Sequence, residues 1–145
     1  MLHTIRALTL DLDDTLWPVW PTIERAEAVL IDWLRAHAPA TAQRHDTASL
    51  RRVRDQVGRE NPDWVHDLTR IRRESIRRAL SQCGDDPALA EPAFEAFFAE
   101  RQNVRLFDDV RPALARLAAR YPIVALTNGL KDNLETRLIL LRRRL

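Results

Sequence analysis

Two short apolar segments separated by a long helical stretch constrain the fold of this 145-residue chain more than any other feature. The first, Ile5–Leu10, is rich in apolar and β-branched residues and ends at the acidic run Asp11–Asp14. The second, Tyr121–Leu126, ends at the turn-prone polar triplet 127–129. Both segments are typical of buried strands. Because helices separate them, we expect parallel strands joined by a crossover in an α/β core.

The interval between the two strands is predicted to be helical. Its apolar residues recur at steps of three and four, the spacing of one face of a helix. Gly84 is expected to end one helix, and Asp86-Pro87 is a start signal with a capping side chain before a proline. The predicted helices cover 22–37, 49–59, 68–82, a stretch that starts at Asp86-Pro87, and 109–120.

The charge distribution argues against a nucleic-acid partner, although the isoelectric point is about 9.3. Residues 130–145 hold five basic and two acidic groups, a net charge of +3. The preceding residues, 1–129, carry a net charge of −1. Binding to a phosphate backbone needs a basic face, and a nearly neutral body does not supply one. We therefore treat 130–145 as a separate, atypical basic tail.

The composition favours a cytoplasmic protein without a membrane partner. No apolar run approaches the length of a membrane span, and the N-terminal residues lead into a strand and not into an export signal. Cys83 is the only cysteine, so the chain cannot form an internal disulfide. This usage fits a reducing compartment.

Polar residues follow both predicted strands directly. In a parallel α/β sheet the carboxyl ends of the strands open onto the ligand crevice, so Asp11 and Asp13 are expected to lie near Thr127. Two carboxylates on one side can divide the work between nucleophile and general acid–base. Their negative charge calls for a hard cation such as Mg²⁺. The alternative is a solvated turn that caps the next helix, and we assign Asp14 to that local role.

The residues at both strand ends resemble the haloacid-dehalogenase-like hydrolase superfamily. An apolar strand followed by Asp-Leu-Asp-Asp-Thr-Leu at 11–16 is similar to its first motif, and 123–129 is similar to its second. The helical stretch between them resembles the all-helical C1-type cap of one large subgroup. Leu10–Trp20 looks most like the small-molecule phosphatases of flavin mononucleotide and the riboflavin pathway.

The resemblance implies an incomplete Rossmann-like parallel-sheet core with an inserted all-helical cap. Residues 1–16 and 106–129 would form the partial hydrolase core, and 17–105 would form the cap. The basic tail 130–145 would follow the core.

Carried onto this sequence, the resemblance implies Mg²⁺-dependent hydrolysis of a small phosphorylated metabolite. Asp11 would be the nucleophile that forms an aspartyl-phosphate, and Asp13 would protonate the leaving alcohol and then activate water. Mg²⁺ would be held by the carboxylate of Asp11 and the backbone carbonyl of Asp13. Thr127 and Asn128 would bind phosphate. The aspartate at position 13 favours phosphate esters, because superfamily members that dehalogenate or cleave phosphonates lack it.

The resemblance also implies a lysine and an acidic pair well downstream of the second strand. After Thr127 the only lysine is Lys131 and the only acidic residues are Asp132 and Glu135, all within the segment that leaves this strand. We therefore expect a truncated chain whose reading frame shifts or is cut near Gly129. Two alternatives to an active phosphatase stay open. They are a non-catalytic remnant that binds a phosphate ligand and an interaction module that uses the tail and an uncovered sheet edge.

Two aromatic residues and three arginines have competing interpretations. Trp17 and Trp20 would either line a substrate pocket or pack a junction beside prolines, and packing is favoured. Arg70, Arg73 and Arg77 recur along one helix and are interpreted as a solvated face.

Overall fold

A computed structural model describes residues 5–126 of the chain. The chain divides into two compact units. The first, called here the strand unit, comprises the described residues of Met1–Thr22 and Gln102–Leu145, and the second, called here the helical unit, comprises Ile23–Arg101. Their assignment as hydrolase core and cap, with boundaries after residues 16 and 105, stays a prediction.

The strand unit contains a pair of parallel strands, β1 (Leu8–Leu10) and β2 (Ile123–Ala125). Leu8 pairs with Ile123 and Leu10 pairs with Ala125. Each strand has three residues, so both are shorter than the apolar segments that predicted them. The parallel pairing confirms the predicted α/β class with a small parallel sheet.

The core of the strand unit forms where β1 ends. Leu12, Leu16 and Trp17 are buried there together with Val110 and Leu114 of helix α6 (Val110–Ala118). These two positions of α6 lie four residues apart, which places them on one face of the helix. Three apolar residues therefore anchor the same chain segment that carries the acidic run.

Six helices are described in residues 5–126. Their bounds are α1 (Val19–His37), α2 (Pro39–Arg44), α3 (Thr47–Glu60), α4 (Leu68–Cys83), α5 (Ala90–Arg101) and α6 (Val110–Ala118). Short 3₁₀ turns occur at Pro62–Trp64 and Pro87–Leu89. The predicted helices are confirmed with small changes at their ends. The helix expected directly after Asp86-Pro87 opens with a 3₁₀ turn before α5 begins.

The helical unit is built around one apolar cluster. Leu30 and Leu34 of α1 are buried with Leu80 of α4 and with Phe94 and Phe97 of α5. Predicted stripes on these three helices therefore pack together. Across residues 5–126, no helix has both the length and the apolar character needed to cross a membrane.

The arginine stripe on α4 is only partly a solvated face. Arg70 and Arg77 are exposed, as predicted. Arg73 is half-buried, its guanidinium lies 4.3 Å from the centre of the Phe94 ring, and its Nη2 lies 2.9 Å from Oε1 of Glu91. The prediction was wrong for Arg73, because α5 packs beside it and places the Phe94 ring and the carboxylate of Glu91 against its guanidinium.

Replacing either of two glycines in the helical unit by alanine is expected to change the free energy of unfolding, in opposite directions. Gly84 ends α4 with φ of 81°, a left-handed conformation that costs alanine about 1 kcal/mol. Gly58 lies within α3, where an added Cβ meets only Ile71 Cδ1 at an ordinary 3.8 Å. Gly58→Ala is therefore expected to raise the free energy of unfolding by about 0.5–1 kcal/mol. Urea unfolding of both variants checks this, and destabilisation by Gly58→Ala would contradict it.

Candidate active site

The carboxyl ends of the paired strands form the described part of the candidate site. The carbonyl oxygen of Leu10 accepts a hydrogen bond of 2.8 Å from the backbone N–H of Leu126, so pairing continues past the end of β2. Asp11 follows Leu10 in the chain. The predicted phosphate-binding residues Thr127 and Asn128 lie outside the described residues, and their role stays a prediction.

Residues 11–17, called here the acidic loop, fold back on themselves directly after β1. Leu12 anchors the loop, because its side chain is fully buried at 0% exposure. The backbone N–H of Leu16 donates to the Leu12 carbonyl at 2.8 Å. The backbone N–H of Asp14 donates to the Trp17 carbonyl at 2.8 Å. These bonds give a short polar segment a defined conformation.

The carboxylates of Asp11 and Asp13 have different surroundings. Asp11 is exposed, and its Oδ1 accepts a hydrogen bond of 2.8 Å from the adjacent backbone N–H of Leu12. Asp13 is half-buried, and its Oδ1 accepts a hydrogen bond of 2.8 Å from the indole Nε1 of Trp17. The loop thus presents one solvent-facing carboxylate and one held by a side chain from the core. Such a difference suits two carboxylates with different tasks.

Asp14 has the local turn role that the sequence predicted. Its φ of 57° is left-handed, a conformation that aspartate tolerates better than most residues. Its Oδ1 accepts a hydrogen bond of 2.9 Å from the backbone N–H of Val19, the first residue of α1. A carboxylate at this end also interacts favourably with the helix dipole. Asp14 therefore joins the acidic loop to the following helix.

The two tryptophans near the loop differ in burial. Trp17 is 0% exposed and packs in the core of the strand unit, which confirms the predicted packing role. Trp20 is 54% exposed. Sequence reasoning missed the bond from Trp17 to Asp13. The spacing of four residues falls in an irregular loop, where helical periodicity gives no signal.

The oxygen atoms of Asp11 and Asp13 are of the kind that coordinate Mg²⁺ in proteins. Mg²⁺ is usually bound by one or two carboxylates, with waters and substrate phosphate completing its octahedral shell. The exposed carboxylate of Asp11 and the oxygens of Asp13 are hard donors two residues apart. Among residues 5–126 no cluster of three or more His, Cys, Asp or Glu side chains is placed to hold a metal.

Comparison with known proteins connects this loop to one enzyme family. A family model described as haloacid dehalogenase-like hydrolase matches residues 5–142. A curated relative in Escherichia coli (strain K12) is the 5-amino-6-(5-phospho-D-ribitylamino)uracil phosphatase YigB. It is 34% identical over 132 residues, which cover 88% of this chain and 55% of the relative.

Two solved structures are also similar. The 2-haloacid dehalogenase from Pseudomonas syringae pv. Tomato DC3000 has a TM-score of 0.78 at 36% identity, covering 93% of this chain and 59% of that one. The HAD-hydrolase YfnB from Bacillus subtilis, in a crystal structure bound to magnesium, has a TM-score of 0.59 at 15% identity. That match covers 92% of this chain and 58% of YfnB, and it supports the fold alone.

This chain therefore spans between 55% and 59% of the length of these relatives. The family match includes both predicted motifs and continues into the segment 130–142. It confirms the resemblance that the strand ends indicated. The chain belongs to the haloacid dehalogenase-like hydrolase family.

Proposed function

We propose that this chain supplies the nucleophile and the general acid–base of a Mg²⁺-dependent phosphatase that acts on a small phosphorylated metabolite. The observation that carries the proposal is the acidic loop itself. Asp11 and Asp13 follow β1 directly where it pairs in parallel with β2, at the edge of the sheet where ligands bind in α/β folds. The similarity to a curated phosphatase supports phosphate esters as substrates.

In the proposed reaction Asp11 forms a covalent intermediate. An oxygen of its exposed carboxylate attacks the phosphorus of the substrate, and the bond between phosphorus and the alcohol oxygen breaks. Asp13 gives its proton to that oxygen, so the product leaves as an alcohol. Asp13 then takes a proton from water, the resulting hydroxide attacks phosphorus, and the bond to Asp11 breaks. Inorganic phosphate is released and both carboxylates return to their starting forms.

The proposed cation would be held by the carboxylate of Asp11 and the backbone carbonyl of Asp13. When bound, Mg²⁺ would reduce the repulsion between an anionic nucleophile and an anionic phosphate. Thr127 and Asn128 are proposed to bind the phosphoryl oxygens. A cytoplasmic location belongs to the same proposal, supported by the single cysteine.

The proposed substrate class is the phosphate ester of a primary alcohol. The curated relative YigB acts on a phosphorylated ribitylamino-uracil, and this chain shares 34% of its residues over the matched region. Dehalogenation, the activity named for one of the similar structures, releases halide. Halide leaves without a proton, so that reaction has no use for a general acid at position 13. An alcohol does need one, and Asp13 is present.

The test measures phosphate and halide release by the full chain. The substrates are 5-amino-6-(5-phospho-D-ribitylamino)uracil, p-nitrophenyl phosphate and 2-chloropropionate. We expect phosphate release that stops with EDTA and returns with added Mg²⁺, and no halide release. Halide release without phosphate release would contradict the proposal. Thermal stabilisation by phosphate without turnover would favour the non-catalytic, ligand-binding alternative.

A further inference from the structure

We infer that Trp17 is a positioning residue for Asp13, holding its carboxylate in one orientation through the hydrogen bond from Nε1 to Oδ1. The bond length is 2.8 Å. The inference rests on the proposed function, in which Asp13 exchanges a proton with the leaving oxygen and with water. It assigns a role to the buried tryptophan beyond packing.

Close packing in the core of the strand unit fixes the position of the Trp17 indole. Trp17 is 0% exposed and packs with Leu12 and Leu16 of the acidic loop and with Val110 and Leu114 of α6. A close-packed side chain leaves its rotamer only at the cost of these contacts. The donor therefore stays fixed relative to the core, and a buried indole N–H is expected to have a partner.

The backbone of the loop holds the acceptor near the donor. Asp13 and Trp17 form an isolated β-bridge, and the N–H of Asp14 donates to the Trp17 carbonyl at 2.8 Å. Asp13 is itself half-buried. The distance between the indole and the carboxylate is thus set by main-chain bonds as well as by the side chains.

The hydrogen bond from Trp17 restricts rotation about the terminal side-chain torsion of Asp13. The terminal torsion of aspartate is broad and roughly two-fold, so the plane of an exposed carboxylate rotates easily. The indole N–H can donate to Oδ1 when Asp13 carries its proton on the other oxygen and also when Asp13 is ionised, and the bond is stronger in the ionised form. Fixing Oδ1 sets the plane of the whole group, which includes the oxygen that meets the substrate. Proton transfer depends steeply on such placement.

The first test compares leaving groups in Trp17→Phe, with Trp64→Phe in the helical unit as a matched control. An alkyl phosphate needs a proton on its leaving oxygen, whereas p-nitrophenolate leaves without one. The rate constant for release of the leaving group in a single turnover reports the step before Asp13 activates water. We expect Trp17→Phe to lower this rate constant by roughly 10- to 100-fold for the alkyl phosphate. For p-nitrophenyl phosphate the loss in the same step should stay within about threefold, because protonation contributes little there.

A second variant separates the hydrogen bond from the shape of the ring. Benzothienylalanine at position 17 keeps the bicyclic shape and replaces the N–H by sulfur. It should reproduce the selective loss seen with Trp17→Phe. Equal losses on both substrates in the single-turnover release of the leaving group, in either variant, would overturn the inference. An unchanged release rate with benzothienylalanine would also overturn it.

A spectroscopic test decides the inference even if the chain hydrolyses nothing. In the ¹H–¹⁵N spectrum a bond to a carboxylate moves an indole N–H downfield. Asp13→Ala should shift the Trp17 indole resonance upfield, and Asp11→Ala should leave it in place. An unshifted resonance in Asp13→Ala would overturn the inference. Absence of hydrolysis with the expected shift would contradict the proposed function alone.

Discussion

Replacing Asp11 by asparagine is expected to lower the rate of phosphate release by roughly four orders of magnitude or more. An amide oxygen is a far weaker nucleophile than a carboxylate oxygen, and Asp11 is the exposed carboxylate directly after β1. The variant keeps the size of the side chain and an oxygen that can accept from the N–H of Leu12. Rates under single-turnover conditions measure the loss in the chemical step itself.

Asp14→Asn is the matched control for this loss. It makes the same chemical change three residues away, in a carboxylate that bonds to the N–H of Val19. Asparagine also tolerates the left-handed conformation of this position. Its rate should stay within about threefold of wild type, because Asp14 has no part in the proposed chemistry. Similar losses in both variants would show that the loop needs its charge and not a nucleophile at position 11.

The largest expected effect on stability comes from a buried glutamate in the helical unit. Glu27 on α1 is 3% exposed and faces arginines from two other helices. Its Oε2 accepts a hydrogen bond of 2.8 Å from Nε of Arg51 on α3. Its Oε1 lies 3.5 Å from Nη2 of Arg72 on α4. Three helices therefore meet at one carboxylate.

Arg72 makes this network costly to break. Arg72 is 9% exposed, and this burial lowers the pKa of its guanidinium to about 10. Its Cζ also lies 4.4 Å from the centre of the Phe97 ring. Loss of Glu27 would leave a buried cation without its counter-charge, a change that typically costs about 3–5 kcal/mol.

We therefore expect Glu27→Ala to lower the free energy of unfolding by about 3–5 kcal/mol in urea unfolding. Adding Arg72→Met should recover part of the loss, since it removes the uncompensated charge. Asp32→Ala is the control, because it breaks an exposed ion pair with Arg35 that is worth at most about 1 kcal/mol. A Glu27→Ala effect as small as the control would contradict the role of Glu27 as a buried counter-ion.

Much of the fold could be predicted because its signals are local and periodic. Apolar spacing locates the helices, and Gly84 marks the end of α4 as expected. The parallel pairing of β1 and β2 follows from the need for a crossover between strands separated by helices. Helix α2 was missed, because Pro39–Arg44 has too few residues for periodicity to register.

The interactions that shape the site and the helical unit were less visible in the sequence. Glu27 lies beside Ala26 on the buried side of α1, but its arginine partners come from positions far along the chain. The bond between Trp17 and Asp13 depends on a loop conformation that no repeat predicts. The positions of Asp11 and Asp13 after β1 followed directly from the motif. Their chemical roles remain proposals, as do those of Thr127 and Asn128.

The nucleophilic role of Asp11 is tested most directly by identifying the residue that carries the phosphoryl group during turnover. Wild-type chain is mixed with Mg²⁺ and substrate, quenched in acid and reduced with borohydride, which converts an aspartyl-phosphate to homoserine. Peptide mapping then identifies which residue has been converted to homoserine. We expect homoserine at position 11 and unmodified aspartate at positions 13 and 14. Phosphate release without homoserine at position 11 would contradict a nucleophilic role for Asp11.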